Sequence, residues 1–265
     1  MILRLPSRVL SFPRRPLVMG IVNVNDDSFS GDGTLDVDEA LGQAGAQVAA
    51  GADIVDLGAE SARTNRAAIP VEEECARLRG VLERWGEVTA STGPRDDEQV
   101  WPPVLSVNTW RSEVVVAALG LGAELINDMG GLPDGRNARL VAEHGAALLL
   151  MHTAGPPKVQ RVDQSWDDIM EELERFFEDK LAVAQSEGLS PDQLVIDPGI
   201  DFAKQREDNL RLLRELDRLQ QFERPVLLPV SRKTVIGEVL EIEDPVARDA
   251  GTIGFLAAGD RKSVV

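Results

Sequence analysis

Short apolar runs and longer amphipathic segments alternate along the chain from about residue 17 to residue 258. Most of the apolar runs lack polar alternation, which is typical of parallel strands covered on both faces. They lie at 17–24, 53–57, 104–107, 124–126, 147–151, 193–196 and 225–230. Segments with helical periodicity lie near 37–50, 71–87, 111–121, 136–144, 166–187, 206–221 and 245–258. This repeated order predicts a parallel sheet with right-handed crossovers.

The number of predicted strands separates two kinds of α/β fold. An open doubly wound sheet usually carries a Gly-x-Gly-x-x-Gly turn after its first strand, whereas residues 23–33 form a long polar segment without that motif. We therefore predict a TIM (β/α)8 barrel with about seven strands present and the eighth missing at the C-terminus. Residues 1–259 would form one incomplete barrel domain. Residues 260–265 break the helical pattern, and we interpret them as a non-native tail.

Composition narrows the class of protein. The 265 residues include 28 Lys and Arg against 45 Asp and Glu, a formal net charge of −17. A surface this acidic disfavours nucleic-acid and membrane-surface partners. One cysteine excludes an internal disulfide framework or a Cys-rich zinc site. No apolar run reaches the roughly 20 residues of a membrane span. These features predict a cytoplasmic enzyme.

Polar side chains follow nearly every predicted strand. They are Asn23, Asp56, Asn108, Asn127, Asp128, His152, Asp197, Ser231, Arg232 and Lys233. Because the carboxyl ends of barrel strands meet at one face, we expect these side chains to surround a ligand. Asn and Asp acceptors suit a flat heterocycle with amino and ring N–H donors, and Lys233 and Arg63 suit an anionic group. For His152 an ordinary hydrogen-bonded loop histidine remains the alternative.

Several motifs resemble those of dihydropteroate synthases, in the order of that family over about residues 17–258. The matches are Met19-Gly20-Ile21-Val22-Asn23-Val24, Asp27-Ser28-Phe29-Ser30, Gly51-Ala52-Asp53-Ile54-Val55-Asp56-Leu57-Gly58 with Glu60-Ser61 and Arg63, Asn127-Asp128, Met151-His152, Asp197-Pro198-Gly199-Ile200 with Phe202 and Lys204, Ser231-Arg232-Lys233 with Ile236-Gly237, and Gly251-Thr252. One match would be weak, but this ordered series is specific.

The resemblance implies a TIM barrel that joins 7,8-dihydropterin-6-ylmethyl diphosphate to 4-aminobenzoate and releases pyrophosphate in folate synthesis. It implies Mg²⁺ at Asn23, catalytic roles for Asp27, Asp32 and Lys233, and a homodimer for the full-length protein. The substrate-binding residues that it implies are Asn108, Asn127, Asp197, Lys233, Arg63, Phe29, Phe202, Lys204, Ser231, Met151 and His152.

Some positions depart from the family pattern. Asn108 stands where the family has Asp, which removes a charge-assisted hydrogen bond. Asp201 and Ala203 replace two glycines near the aminobenzoate pocket, and a carboxylate at 201 would repel an anionic benzoate unless Lys204 neutralises it. The family's closing strand with Arg-x-His is absent, so we expect poor stability and little activity from this chain.

Two other functions stay open at this stage. A catalytically silent paralogue would bind a pterin without turning it over, as Asn108 and Asp201 could indicate. A methyltransferase that moves a methyl group from a methylated folate to a corrinoid would share the barrel and the pterin pocket but needs no diphosphate site. The motif Ser231-Arg232-Lys233 favours the transferase.

Overall fold

The computed structural model describes residues 1–26, 31–61, 66–159 and 164–260, apart from the side chain of Asp260. Its strands are β1 (Ile2–Arg4), β2 (Val9–Ser11), β3 (Met19–Asn23), β4 (Ile54–Gly58), β5 (Val104–Asn108), β6 (Leu125–Asp128), β7 (Ala147–Met151) and β8 (Leu194–Asp197). β3 to β8 form a parallel sheet in chain order, each strand bonded to the next. The predicted β/α order is therefore confirmed.

The seventh predicted strand differs from a regular strand. Residues 225–230 run beside β8, where the N–H of Ile196 donates to Pro225 O at 3.0 Å and the N–H of Leu227 donates to Ile196 O at 2.8 Å. Among the described residues, the segment 225–230 forms only one parallel bridge, between Val226 and Ile196. Proline has no N–H to donate, so Pro225 and Pro229 weaken the hydrogen-bond ladder.

Helices follow the strands at the predicted places. They are α1 (Val37–Ala50), α2 (Val71–Leu82), α3 (Trp85–Ser91), α4 (Ser112–Gly120), α5 (Arg136–Glu143), α6 (Ile169–Ser186), α7 (Arg206–Arg214), α8 (Thr234–Leu240) and α9 (Asp249–Asp260), with 3₁₀ helices at Pro191–Gln193, Leu216–Phe222 and Pro245–Arg248. The predicted segment 71–87 is split into α2 and α3, and the segment 206–221 tightens into a 3₁₀ helix after α7. The short helix α8 was not predicted. No helix in the described part of the chain is long and apolar enough to cross a membrane.

Alternate residues of each strand face opposite sides of the sheet. One side packs against the helices, with Val55, Ile126 and Leu148 fully buried there. The other side carries a second apolar layer at the beginning of the strands, including Ile54 and Leu125. These two faces fix which strand-end side chains can meet in one site.

The hairpin of β1 and β2, which the sequence analysis did not predict, packs on this second layer. Its buried side chains Leu3, Leu10 and Phe12 belong to the same cluster as Val104 and Leu149. The hairpin therefore covers the inner face of the sheet at the amino ends of the strands. The site must lie at the opposite, carboxyl ends.

The outer edge of β3 has no strand beside it among the described residues. The side chain of Gln47 from α1 lies there, and its Nε2 donates to Ile21 O at 2.8 Å. Gly20 leaves the room for this contact, because a Cβ at that position would lie 2.0 Å from Gln47 Oε1. Val18 and Ile21 are half exposed along the same edge.

Candidate functional site

A layer of polar side chains lies directly beyond the inner apolar layer. Asp56 lies two residues after Ile54, and Asn127 lies two residues after Leu125, so each faces the inside of the sheet. Ser106 lies two residues after Val104 in β5 and faces the same side. In the register of the sheet Asp56 pairs with Ser106, and Asn108 with Asn127.

Asp56 lies at the centre of a buried hydrogen-bond cluster. Ser106 Oγ donates to its Oδ1 at 2.5 Å, and Asn127 Nδ2 donates to its Oδ2 at 2.9 Å. Burial raises the pKa of Asp56 to about 6, although hydrogen bonds from Ser106, Asn127 and Asn108 oppose the rise. The cluster is therefore rich in acceptor oxygens, and the carboxyl group of Asp56 is largely ionised at neutral pH.

Asp197 ends β8 on the same inner face. The N–H of Gly199 donates to its Oδ1 at 2.7 Å. Burial raises the pKa of Asp197 to about 6, against the Gly199 hydrogen bond and the charges of Lys233 and Lys204. Because the Gly199 hydrogen bond and the lysine charges do not fully offset the cost of burying this carboxylate, it is suited to accept hydrogen bonds from a bound ligand.

Two lysines face this carboxylate. Lys233 Nζ lies 4.6 Å from the centre of the Phe202 ring. Burial lowers the pKa of Lys233, while Asp201 and Asp197 oppose that change. Burial also lowers the pKa of Lys204 to about 7. Lys204 Nζ donates to Gly199 O at 2.9 Å and to Phe202 O at 3.1 Å.

These groups line part of one open cavity, whose total volume of about 1540 Å³ also includes the space beside the edge of β3. Of the predicted site residues, it brings together Asn23, Asp32, Asn108, Asn127, Met151, Asp197, Phe202, Lys204, Ser231 and Lys233. The cavity continues along the outer edge of β3 to residues 226–230. Asp27, Phe29 and Arg63 lie outside the described residues, so their predicted roles stay predictions.

His152 and Asp128 lie away from the described cavity lining. His152 is fully buried, and its Nδ1 accepts from Lys204 Nζ at 2.8 Å. Its ring packs edge-on against Phe176, 4.8 Å between centres. Burial and the charge of Lys204 lower its pKa well below the ordinary value, so it is neutral. Because His152 follows Met151, which faces the cavity, its own side chain points to the opposite side of the sheet. There it contacts Lys204 and helps to hold that side chain in place.

Asp128 faces the helices. Its Oδ2 accepts from Asn137 Nδ2 at 2.9 Å and its Oδ1 accepts from the N–H of Gly130 at 2.8 Å. Burial raises its pKa to about 6. These bonds stabilise the loop after β6, so Asp128 supports the structure beside the site.

Asn23 and Asp32 approach each other at the mouth of the cavity, with Asn23 Nδ2 donating to Asp32 Oδ1 at 3.2 Å. Amide and carboxylate oxygens are the ligands that Mg²⁺ prefers, and it usually binds through one or two of them together with phosphate and water. The donor set fits such an ion. Within the described residues no group of three or more His, Cys, Asp or Glu could hold a metal alone.

Sequence reasoning missed a buried ion network beside the site. Arg111 contacts Glu74 Oε2 at 2.7 Å and Glu60 Oε2 at 3.1 Å, and Lys158 Nζ lies 2.7 Å from Glu60 Oε1. Burial raises the pKa of Glu74, against its hydrogen bond from Thr109. The network joins Glu60, which follows β4, to Lys158, which follows β7. The role of Ser106 was missed as well, although its position two residues after Val104 in β5 indicates that it faces the inside of the sheet.

The comparisons with known proteins agree on one family. A family described as pterin binding enzyme matches residues 19–264. A dihydropteroate synthase of Synechocystis is 34% identical over 241 residues, covering 90% of this chain and 79% of the relative. The chain also resembles two solved structures, which confirms the predicted fold class.

The first structure is a Yersinia pestis dihydropteroate synthase with a sulfonamide drug complex, with a TM-score of 0.86 and 33% identity, covering 99% of this chain and 90% of that one. The second is a Thermus thermophilus dihydropteroate synthase in complex with 4-aminobenzoate, with a TM-score of 0.82 and 37% identity, covering 100% of this chain and 91% of that one.

Proposed function

This chain belongs to the family of pterin-binding enzymes, and we propose that it joins 7,8-dihydropterin-6-ylmethyl diphosphate to 4-aminobenzoate with release of pyrophosphate, as a dihydropteroate synthase of folate synthesis. The observation that carries this proposal is that buried Asp and Asn acceptors lie beside Lys233 and Lys204 in one cavity. Acceptors suit the pterin, and cations suit the anionic groups.

In the proposed complex the pterin lies against the floor of the cavity. Its amino and ring N–H groups would donate to Asp197, Asp56 and the amide oxygens of Asn127 and Asn108. Hydrogen bonds to an ionised acceptor are roughly twice as strong as those between neutral groups. Because such bonds favour the ionised form, the pterin would lower the raised pKa values of Asp56 and Asp197.

The diphosphate would lie near Asn23, Asp32 and Lys233. Bound Mg²⁺ would neutralise charge that develops on the leaving pyrophosphate. Asn23 and Asp32 would hold that ion through their side-chain oxygens, and Lys233 would stabilise the same charge directly. By the family resemblance, Asp27 and Arg63 would act on this group as well.

The arylamine would lie at the rim, beside Phe202, Ser231 and Lys204, with Met151 below. Phe29 would close over it by the family resemblance. The C–O bond to the diphosphate breaks with its electron pair on pyrophosphate, the amine nitrogen bonds to the pterin methylene carbon, and a proton leaves that nitrogen. No covalent bond to the protein is needed. The residues supply positioning and electrostatic stabilisation.

The direct test follows pyrophosphate release with the pterin diphosphate, Mg²⁺ and 4-aminobenzoate. We expect release to require both substrates, to stop with a chelator and to return with added Mg²⁺. Pterin binding without release would instead indicate the silent paralogue. Methyl transfer from a methylated folate to a corrinoid would indicate the methyltransferase.

We also propose a homodimer in the cytoplasm. The dimer is supported by the exposed apolar side chains of Leu240 and Val246, which lie outside the described lining of the cavity. The cytoplasmic location is supported by the single cysteine, since disulfide-rich chains are typical of oxidising compartments. Sedimentation analysis at micromolar concentration tests the dimer, and fractionation of expressing cells tests the location.

A further inference from the structure

The carboxylate of Asp201 occupies the basic end of the cavity. The N–H of Thr234 donates to its Oδ2 at 2.5 Å, and the N–H of Val235 donates to its Oδ1 at 3.3 Å. Asn209 fixes it further: its Nδ2 donates to Asp201 Oδ1 at 3.2 Å, and its Oδ1 accepts from the N–H of Asp201 at 3.0 Å. This side chain is therefore held in place.

Asp201 also offsets the positive charge at this end of the cavity. It lies close enough to Lys233 and Lys204 to favour the charged form of both. Asp197 acts on the same two lysines. Asp201 thus adds a negative charge to the part of the cavity where Lys233 and Lys204 would attract an anion.

We propose that Asp201 determines specificity for the second substrate: it penalises an arylamine that brings its own carboxylate beside Phe202 and Lys233, and it favours one with a neutral carboxamide there. This inference rests on the proposed function and concerns the same site. A carboxamide N–H can donate to Asp201, whereas a carboxylate can only repel it. Like charges in a partly desolvated site repel strongly enough to change affinity by tenfold or more.

The backbone at Asp201 allows substitution by Asn or Gly, although the NH2 group of Asn would face one of the N–H donors that Asp201 accepts from. Its φ is +66°, in the left-handed region that Asn and Gly adopt readily. Asp201→Asn keeps the size and one acceptor oxygen but removes the charge. Asp201→Gly removes the side chain as well. Asp208→Asn is a matched control, because Asp208 also acts on Lys204 but lies outside the described lining of the cavity.

The test measures KM and kcat for 4-aminobenzoate and 4-aminobenzamide by pyrophosphate release. In Asp201→Asn we expect KM for 4-aminobenzoate to fall about tenfold. KM for 4-aminobenzamide should rise, because its N–H loses a charged acceptor, and both kcat values should change less than about threefold. Asp201→Gly should also lower KM for the benzoate, and Asp208→Asn should leave the ratio of the two KM values near that of the parent chain.

Calorimetric binding of the same two arylamines separates this inference from the proposed function. If the parent chain releases no pyrophosphate with either amine, the proposed function fails, and the ratio of the two dissociation constants still tests Asp201. A ratio that Asp201→Asn leaves unchanged, or an equal change for both amines, would overturn the specificity role. Absence of binding by both amines would overturn it too.

Discussion

Replacing Asp197 by Asn should make the protein more stable and less active. Asp197 is 3% exposed, and its carboxyl pKa rises from 3.8 to about 6 on burial. A rise of this size corresponds to about 3 kcal/mol of destabilisation at pH 7.5, where the carboxylate is ionised in both states. Asn keeps an acceptor for the N–H of Gly199. We therefore expect Asp197→Asn to raise the free energy of unfolding by about 2–3 kcal/mol at pH 7.5.

The contribution of Asp197 to the free energy of unfolding depends on pH. Because the pKa of Asp197 is raised in the folded protein, its contribution to stability is full below the unfolded pKa of 3.8 and is lost as pH rises through about 6. At pH 5 the folded parent chain is mostly protonated at this site. The advantage of Asp197→Asn should then shrink to about half of its value at pH 7.5.

Urea unfolding of both proteins at pH 5.0 and 7.5 measures this difference, and pyrophosphate release measures activity. We expect kcat/KM to fall about 10–100-fold, since a charge-assisted bond to the pterin is lost. Asp128→Asn is the control: Asp128 has a similarly raised pKa but faces Asn137, so it should share the pH trend without a comparable loss of activity. An Asp197→Asn protein whose stability advantage is the same at both pH values would refute the reasoning.

Three further changes test other parts of the structure. Asn108→Asp removes a donor to Asp56 and adds a like charge, so urea unfolding should show a loss of about 1–2 kcal/mol at pH 7.5 that is largely recovered at pH 5. Arg111→Met leaves Glu74 buried without its cation and Glu60 with Lys158 alone, and it should cost about 3–5 kcal/mol in the same measurement. Leu10→Ala opens a cavity under the hairpin and should cost about 2–4 kcal/mol, with kcat retained at a temperature where the variant is folded. Unchanged stability in any of the three would contradict the packing or pairing assigned to that residue.

The order of strands and helices could be predicted from the sequence because each strand is a continuous apolar run with a helical segment after it. The β1–β2 hairpin was missed because its strands have only three residues each. The extended run 225–230 looked like a strand, but its prolines remove hydrogen-bond donors. Tertiary contacts decide such short elements, and their local pattern does not.

Part of the site was predictable for the same reason. Asn108 and Asp197 end β5 and β8, and Asn127 is the last residue but one of β6; all three lie on the inner face, as the sequence predicted. Strand-end position alone does not show which way a side chain points. His152 and Asp128 each follow a residue that faces inward, and the period of two turns them outward. Glu74 lies in a run of three acidic residues in the first turn of α2, yet it is fully buried against Arg111, a contact that no local pattern reveals.

The amide of Gln47 has a consequence for how this protein behaves in concentrated solution. By donating to Ile21 O at the margin of β3, it takes a hydrogen-bonding position that a strand of another molecule would otherwise use. Gly20 and Gln47 thus form an interdependent pair, since a methyl group at residue 20 would push the amide away. Losing either would leave Val18 and Ile21 beside an unguarded backbone, a surface on which molecules stack into aggregates.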